Sequence, residues 1–316
     1  MRELLKKSFP ILYDYYLHVK RKKQIEKINQ LKRLPKDKYP EELSKIYEQF
    51  IGHKLDWNNL NDYTEKMQYV KLYDDSSLKV QLSDKYTVRE WVEEKIGSEY
   101  LIPMLGVWEK FEDIDFSKLP DRFVMKTNHG SGTNIITKDK NKLNYKQLKR
   151  TFTDWLNTDY GFHTGFELHY SHIKPMIIAE KYIESDHGQL QDYKFLCFGG
   201  KVYYCWVDMD RYVNHTRTVF DLDWNMQEWN QASYGVYKEQ IPKPKNFDKM
   251  VELAEILCQG FHHVRVDLYN VDGKIYFGEM TFTNGSGLDP IVPQKYDRIL
   301  GDLWDISDIC QKKNDK

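Results

Sequence analysis

Two strand-like runs meet at Asp272 and Gly273, and two more meet at Gly199 and Gly200. Tight turns of this kind join neighbouring antiparallel strands, because a parallel crossover needs a dozen or more residues. The flanking runs are 193–198 with 202–207, and 264–269 with 274–281; further strand-like runs lie at 123–126, 134–137 and 177–180. Amphipathic helical patterns alternate with them. Thr87, with Glu90 three residues on, reads as a capping box before Val88, Trp91, Val92 and Ile96, and Gly97 stops that helix. Asn144 precedes Tyr145, Leu148, Phe152, Trp155 and Leu156, and Asn246 precedes Phe247, Met250, Val251, Ala254 and Leu257, closed by Gly260. Hairpins interleaved with helices predict an α+β protein on antiparallel sheets and argue against a doubly wound parallel one.

Composition narrows the function classes. Aromatic residues at 15% and a net charge of −1 exclude disorder. Forty-seven basic against 48 acidic residues give no global field for nucleic acid, so none is expected as a partner. There is no run of 18 apolar residues, no signal-peptide pattern, and no CxxC pair among Cys197, Cys205, Cys258 and Cys310. A soluble cytoplasmic protein without zinc or disulfides is expected. Residues 1–40 carry twelve Lys/Arg against four Asp/Glu, with Leu4, Leu5, Ile11, Leu12, Tyr15, Tyr16 and Val19 at helical spacing. Such a stretch is either a wet helical lead-in packed on the main domain or, over residues 1–38, a peripheral contact with the anionic inner membrane face.

Two segments carry chemistry. The run 123–126 ends in Lys126; Thr127, Asn128, His129, Gly130, Ser131, Gly132 and Thr133 follow, then the return run 134–137. A loop with few Cβ atoms lets backbone N–H groups approach phosphate, and a lysine at its base adds charge, although an ordinary β-turn reads the same way. No Gly-Lys-Ser/Thr and no immediate helix follow, so this is not a Walker loop. In the later hairpin a three-residue loop of Val271, Asp272 and Gly273 sets Asp267 opposite Phe277 and Arg265 opposite Glu279. Alternation then puts Arg265, Asp267, Glu279 and Thr281 on one face, with Val264, Val266 and Leu268 on the other. Two carboxylates beside an arginine suit Mg²⁺ held with substrate phosphates, or else form a solvated face with a cross-strand ion pair.

Together these segments resemble the ATP-grasp superfamily, whose two antiparallel-sheet α+β subdomains clamp ATP. Ile177, Ile178, Ala179, Glu180, Lys181, Tyr182, Ile183 and Glu184 resemble its hinge, and Arg265-x-Asp267 with Glu279-x-Thr281 its metal hairpin. Ser83, Asp84 and Lys85 before a helix resemble the opening of the ATP-binding half, and Asp192, Tyr193, Lys194 and Phe195 a strand of the ligase branch. The wording Lys-Thr-Asn-His-Gly-Ser-Gly, Asp-Tyr-Lys-Phe and Gly-Glu-Met-Thr-Phe is most similar to TupA-like ATP-grasp proteins, associated with cell-wall and capsular polysaccharide loci.

The resemblance implies a basic helical segment at 1–40, a preceding region at 41–120, and ATP-grasp subdomains at 121–182 and 183–316. It implies nucleotide contacts at Lys85, Lys126, Gly130, Ser131, Gly132, Glu180, Lys181, Tyr182, Ile183 and Asp192. Mg²⁺ would fall to Asp267, Glu279 and Thr281, with Asn284 as an alternative to Thr281, since the family usually has Asn there. Of the implied catalytic residues, Lys126 would hold the α/β-phosphates with Lys85, Lys194 and Arg217 would hold the transferring group, and Arg265 would stabilise the anionic intermediate. The implied reaction is carboxylate–amine ligation through an acylphosphate, joining a small amine or amino acid to a hexuronic acid of a surface polysaccharide or its precursor. Rival readings are a kinase acting on a glycan hydroxyl, and a nucleotide-sugar glycosyltransferase using Asp-x-Asp at Asp208/Asp210, Asp221/Asp223 or Asp113/Asp115.

Overall fold

The structure, a computed structural model, describes residues 10–74, 76–184, 190–209 and 215–314. Its helices are α1 (Pro10–Arg33), α2 (Tyr39–Ile51), α3 (Tyr63–Tyr73), α4 (Ser77–Ser83), α5 (Val88–Ile96), α6 (Tyr145–Leu156), α7 (Phe247–Cys258), α8 (Lys295–Asp302) and α9 (Ser307–Asn314). Strands β1 (Met104–Trp108), β2 (Phe123–Thr127), β3 (Asn134–Thr137) and β4 (Ile177–Lys181) form an antiparallel sheet in the order β1-β4-β2-β3. Strands β5 (Asp192–Phe198), β6 (Lys201–Met209) and β7 (Thr216–Phe220) belong to a second one, beside a short pair of β8 (Asn230–Gln231) and β11 (Ile291–Val292). With β9 (His263–Val271) and β10 (Lys274–Thr281), the second sheet runs β10-β9-β5-β6-β7. Strand β1 lies upstream of residue 121, outside the first subdomain drawn from the sequence, and completes that sheet's edge against β4.

Each sheet buries one face under a helix. Leu148 and Phe152 of α6 pack on Phe123, Met125, Ile177 and Ala179. Met250, Leu253 and Leu257 of α7, with Val88 and Val92 of α5, cover Phe195, Cys205, Val264, Val266 and Leu268. The other face of the second sheet is divided. Leu196, Phe198, Trp206 and Val219 bury against Tyr63 and Met67 of α3, Leu300 of α8 and Trp304. Past them the same face carries Asp192, Lys194, Asp208, Arg217, Arg265 and Asp267, all buried. One strand thus changes character along its length: β5 presents Asp192 and Lys194, then Leu196 and Phe198, to the same side.

The β9–β10 register differs from the one the sequence suggested. Asp272 (φ 51°) and Gly273 (φ 92°) are both left-handed, so the turn has two residues and Val271 pairs with Lys274. Phe277 therefore faces Leu268, Glu279 faces Asp267, and Thr281 faces Arg265. A bulge at Gly278 reverses the alternation: Ile275 and Phe277 point into the core, then Met280 and Phe282 do. Glu279 and Thr281 reach the charged face because of that extra residue.

The capping expectations separate. Asn144 accepts from Gln147 N (3.0 Å) at the start of α6. Thr87 is helical in conformation and its hydroxyl donates to Gln81 O (2.7 Å), so no capping box opens α5. Asn246 instead pins the β9–β10 hairpin, donating to Gly273 O (2.8 Å) and accepting from Asn270 Nδ2 (2.6 Å). Of the basic lead-in, residues 1–9, with Leu4 and Leu5, lie outside the described residues. Helix α1 packs Ile28 and Leu31 into a cluster with Leu43, Tyr47 and Phe166, while Arg21 pairs with Asp154 and Lys32 with Asp159 (2.8 Å). No described helix is long and apolar enough to cross a membrane.

Helices α3 and α8 meet closely. Asp297 accepts from Thr64 N (2.9 Å) and Thr64 Oγ1 (2.6 Å), and burial pushes its carboxyl up to about 6. A Cβ on Gly301 would stand 2.0 Å from Asn61 O. Gly301→Ala should therefore cost about 3 kcal/mol in urea unfolding, since backbone rather than a flexible side chain blocks the methyl. Folded Asp297 holds its proton more tightly than the unfolded residue, whose ordinary value is 3.8, so its contribution is full below that value and is lost as pH rises through about 6. Asp297→Asn should flatten the stability profile across that window in urea melts at stepped pH.

Candidate functional site

The glycine-rich loop is fixed at its base. Thr127 N donates to Thr133 O (3.1 Å) and Thr127 Oγ1 to Thr133 Oγ1 (2.7 Å). Asn128 then staples three segments: its Oδ1 accepts from Met176 N (2.7 Å), and its Nδ2 donates to Lys174 O (3.0 Å) and to Asp84 Oδ1 (2.9 Å). Lys85, next to that aspartate, is held to the loop as well, its N–H donating to Asn128 O (3.0 Å). The two glycines serve different needs. A Cβ on Gly130 would stand 2.6 Å from the Tyr160 ring, whereas Gly132 has open space but a left-handed φ of +69°. His129 lies edge-on to Tyr160 (5.0 Å), and burial pushes its pKa down to about 4, so it stays neutral at physiological pH.

Between the sheets lies a cavity of about 480 Å³. Every residue expected at the nucleotide lines it: Lys85, Lys126, Gly130, Ser131, Gly132, Glu180, Lys181, Tyr182, Ile183 and Asp192. Asp267 and Glu279 line it from below. Lys126 Nζ stands 2.7 Å from Glu180 Oε2. Lys85 Nζ bridges the two halves, donating to Gly130 O (2.8 Å) and lying 3.4 Å from Glu279 Oε2.

The floor is a row of buried ion pairs. Arg265 Nε and Nη2 donate to the two oxygens of Asp267 (2.6 and 2.8 Å), and Nη2 also reaches Glu279 Oε1 (3.0 Å) and Thr281 Oγ1 (3.1 Å). Lys194 Nζ stands 2.5 Å from both Asp192 and Asp267. Arg217 is bidentate on Asp208 (2.6 and 2.8 Å), donates to Gln231 Oε1, and lies between the Trp206 and Tyr234 rings (4.5 and 4.1 Å). Burial opposes the charge on Lys194, but Asp192 and Asp267 outweigh it and raise its pKa. Burial likewise opposes charge on Asp208, and the hydrogen bonds and charge of Arg217 more than offset it, holding the carboxyl well below the usual range.

This geometry revises several expectations. Lys194 and Arg217, expected at the transferring phosphate, Arg265, expected at the anionic intermediate, and Thr281, expected at the metal, do not line the cavity; the donors of the three cations are committed to Asp192, Asp267, Asp208, Gln231, Glu279 and Thr281. Asn284, the alternative to Thr281, has its Oδ1 taken by Tyr63 OH (2.5 Å), whereas the Thr281 hydroxyl sits beside Glu279 (3.3 Å). Asp208 lines the cavity directly across β5–β6 from Asp192, a placement its Asp-x-Asp setting did not suggest. Asn128 was visible only as part of a motif; its four partners are brought in from two distant segments.

Asp267 and Glu279 are hard oxygen donors facing one cavity, and among the described residues no three His, Cys, Asp or Glu side chains converge as a metal cage. Two carboxylates are too few for a cation held by protein alone and suit Mg²⁺ shared with phosphate oxygens.

Comparison with known proteins agrees with this architecture. A family model described as TupA-like ATPgrasp matches residues 65–305. Curated proteins give no match. Among solved structures, D-alanine–D-alanine ligase from Bacillus anthracis, complexed with ATP, is 16% identical, with 75% of this chain and 67% of that chain covered and a TM-score of 0.42. An L-amino acid ligase from Bacillus licheniformis is also 16% identical, at a TM-score of 0.43, covering 66% of this chain and 44% of its own length. With a family match spanning both sheets and the whole cavity between them, the chain belongs to the TupA-like ATP-grasp family of ATP-dependent ligases.

Proposed function

We propose that the protein uses ATP to activate a carboxylate as an acylphosphate and passes it to an amine, the carboxylate belonging to a hexuronic acid of a surface polysaccharide or its precursor. The observation that carries the reading is the cavity itself. A glycine-rich loop with Lys126 and Lys85 forms its roof, and Asp267 and Glu279, gathered by Arg265, form its floor. Asp267 and Glu279 would hold bound Mg²⁺, which would neutralise charge on the phosphates, and Thr281, hydrogen-bonded to Arg265 and Glu279 outside the cavity lining, would support them. Lys85 and Lys126 then hold phosphate oxygens, and residues 180–183 bind the base. Arg265 lies outside the cavity lining with its donors on Asp267, Glu279 and Thr281, so it acts by holding the two carboxylates in place rather than by meeting the acyl intermediate itself. Lys194 and Arg217 act indirectly, by fixing Asp192, Asp267 and Asp208.

The structure gives the glycosyltransferase reading less support: Asp208 is bidentate on Arg217, while Asp221 accepts from Asn225 N (2.8 Å) and Asp115 from Ser117 N (3.0 Å) within local turns; Asp210 lies outside the described residues. For the basic lead-in, the packing of α1 on residues 154–166 favours the helical lead-in, and an inner-membrane contact would use its exposed Lys20, Lys22, Lys23 and Arg33. Phosphate release from ATP, screened over uronic acids with and without amines, tests the whole reading: hydroxylamine should trap a hydroxamate, and a stable phosphorylated sugar without hydroxamate would make the protein a kinase.

Glu279 is one-third exposed, so Glu279→Gln should abolish turnover with little change in melting temperature. Asp267 is buried between Arg265 and Lys194, so Asp267→Asn should abolish turnover and also cost about 3–5 kcal/mol by stranding their charge. In the loop, Gly130→Ala should weaken ATP binding more than Gly132→Ala. The first drives a methyl into Tyr160, and the second imposes only left-handed strain of about 1–2 kcal/mol. Calorimetric titration with ATP and Mg²⁺ ranks the two.

A further inference from the structure

Glu180 is buried at the hinge and must keep a cation partner whatever the site contains. Its two oxygens face different residues. Oε2 takes Lys126 Nζ at 2.7 Å, while Oε1 faces Arg89 Nη1 at 3.5 Å, beyond an ordinary hydrogen bond. Arg89 comes from α5 and does not line the nucleotide cavity, but it is anchored next to it, donating from Nη2 to Ile102 O (2.9 Å). Glu93 also faces the guanidinium. Lys126 therefore has two competing obligations: it is the close partner of Glu180, and it is the lysine placed to meet nucleotide phosphates. Both could not be met at full strength by one ammonium if Glu180 had no other cation.

We propose that Arg89 is a positioning residue, a reserve counter-ion for Glu180 that releases Lys126 to the nucleotide phosphates. The inference rests on the nucleotide reading of the cavity and extends it to a residue outside the cavity lining. When Lys126 turns to phosphate, Glu180 closes the short gap to Arg89 and its charge stays compensated. Without Arg89, the buried carboxylate retains Lys126, and the phosphates lose a cation although Lys126 itself is intact.

The test uses adenosine and ATP with Mg²⁺ as probes in calorimetric titration of the full chain. Arg89→Gln should weaken ATP about tenfold or more, the scale of a charge-assisted hydrogen bond, and leave adenosine unchanged because adenosine carries no phosphate. The KM for ATP should rise more than kcat falls. Arg89→Lys should retain most of the ATP affinity. The deciding variant is Arg89→Gln with Glu180→Gln, in which a neutral amide no longer holds Lys126; because Glu180 also lines the base end of the cavity, the readout is the ratio of ATP to adenosine affinity, which should return toward that of the wild type. If Arg89 merely braces Ile102, adenosine and ATP will weaken together and the second substitution will restore nothing, and either result overturns the proposal. A wild type that binds neither probe overturns the nucleotide reading and this inference with it, whereas a wild type that binds ATP with no loss in Arg89→Gln overturns the inference alone.

Discussion

The buried pairing of Asp267 with Arg265 and Lys194 is the constraint around which the second sheet is organised. Three charges sit side by side on β5 and β9, out of water, and removing any one would strand the others. Burial pushes the Asp267 carboxyl upward against the pull of its two cations, so its ionised form depends on both of them being in place. A core made of well-packed apolar residues would be cheaper by several kcal/mol. The sheet accepts that cost only over half of one face. On the other half, Leu196, Phe198, Trp206 and Val219 meet α3 and α8, and this apolar packing holds the strands in the register that the charges require. Stability and chemistry are thus separated along single strands rather than between layers.

Gly278 decides whether β10 joins that arrangement. Strict alternation from Ile275 and Phe277 would send Glu279 into the core under α7. The bulge turns it out beside Arg265, and the lack of a side chain at 278 permits this, because a Cβ there would stand 3.0 Å from Asp267 O. A two-residue turn and a bulge one strand-length later therefore compensate each other. Together they bring the four side chains of the hairpin to one face, the same outcome that a three-residue turn with unbroken alternation would suggest for a different reason.

That coincidence explains how far the sequence could be read. The strand pairs around Gly199–Gly200 and Asp272–Gly273, and the helices after Asn144 and Asn246, were legible because tight turns and helical periodicity are local signals. Register was not, since it depends on the φ of Asp272 and on a bulge that alternation cannot announce. Strands β1 and β7 escaped notice as edge strands: every residue of β1 is half-buried, and β7 is buried throughout, so neither alternates. The motif residues that line the cavity were visible as residue types at fixed spacing. Their partners were not, because Asp208 with Arg217 and Asn128 with Asp84 are brought together by pairing across strands and loops far apart in sequence.

The same pairings set the electrostatics of the site. On the floor, Asp192, Asp208, Asp267 and Glu279 are matched by Lys194, Arg217, Arg265 and Lys85, the last reaching across from the roof. A floor so balanced exerts little net attraction on a polyanionic triphosphate, and the chain as a whole, at a net charge of −1, adds none. On the proposed nucleotide reading, phosphate affinity would come from groups that can change partners: Lys126, shared with Glu180, Lys85, shared with Glu279, and backbone N–H groups of the glycine loop. On the proposed reading Glu279 would help to hold a divalent cation, which would supply charge neutralisation there; Lys85, 3.4 Å from that carboxylate, would then be left to phosphate, and metal and nucleotide would bind with positive coupling through a single lysine.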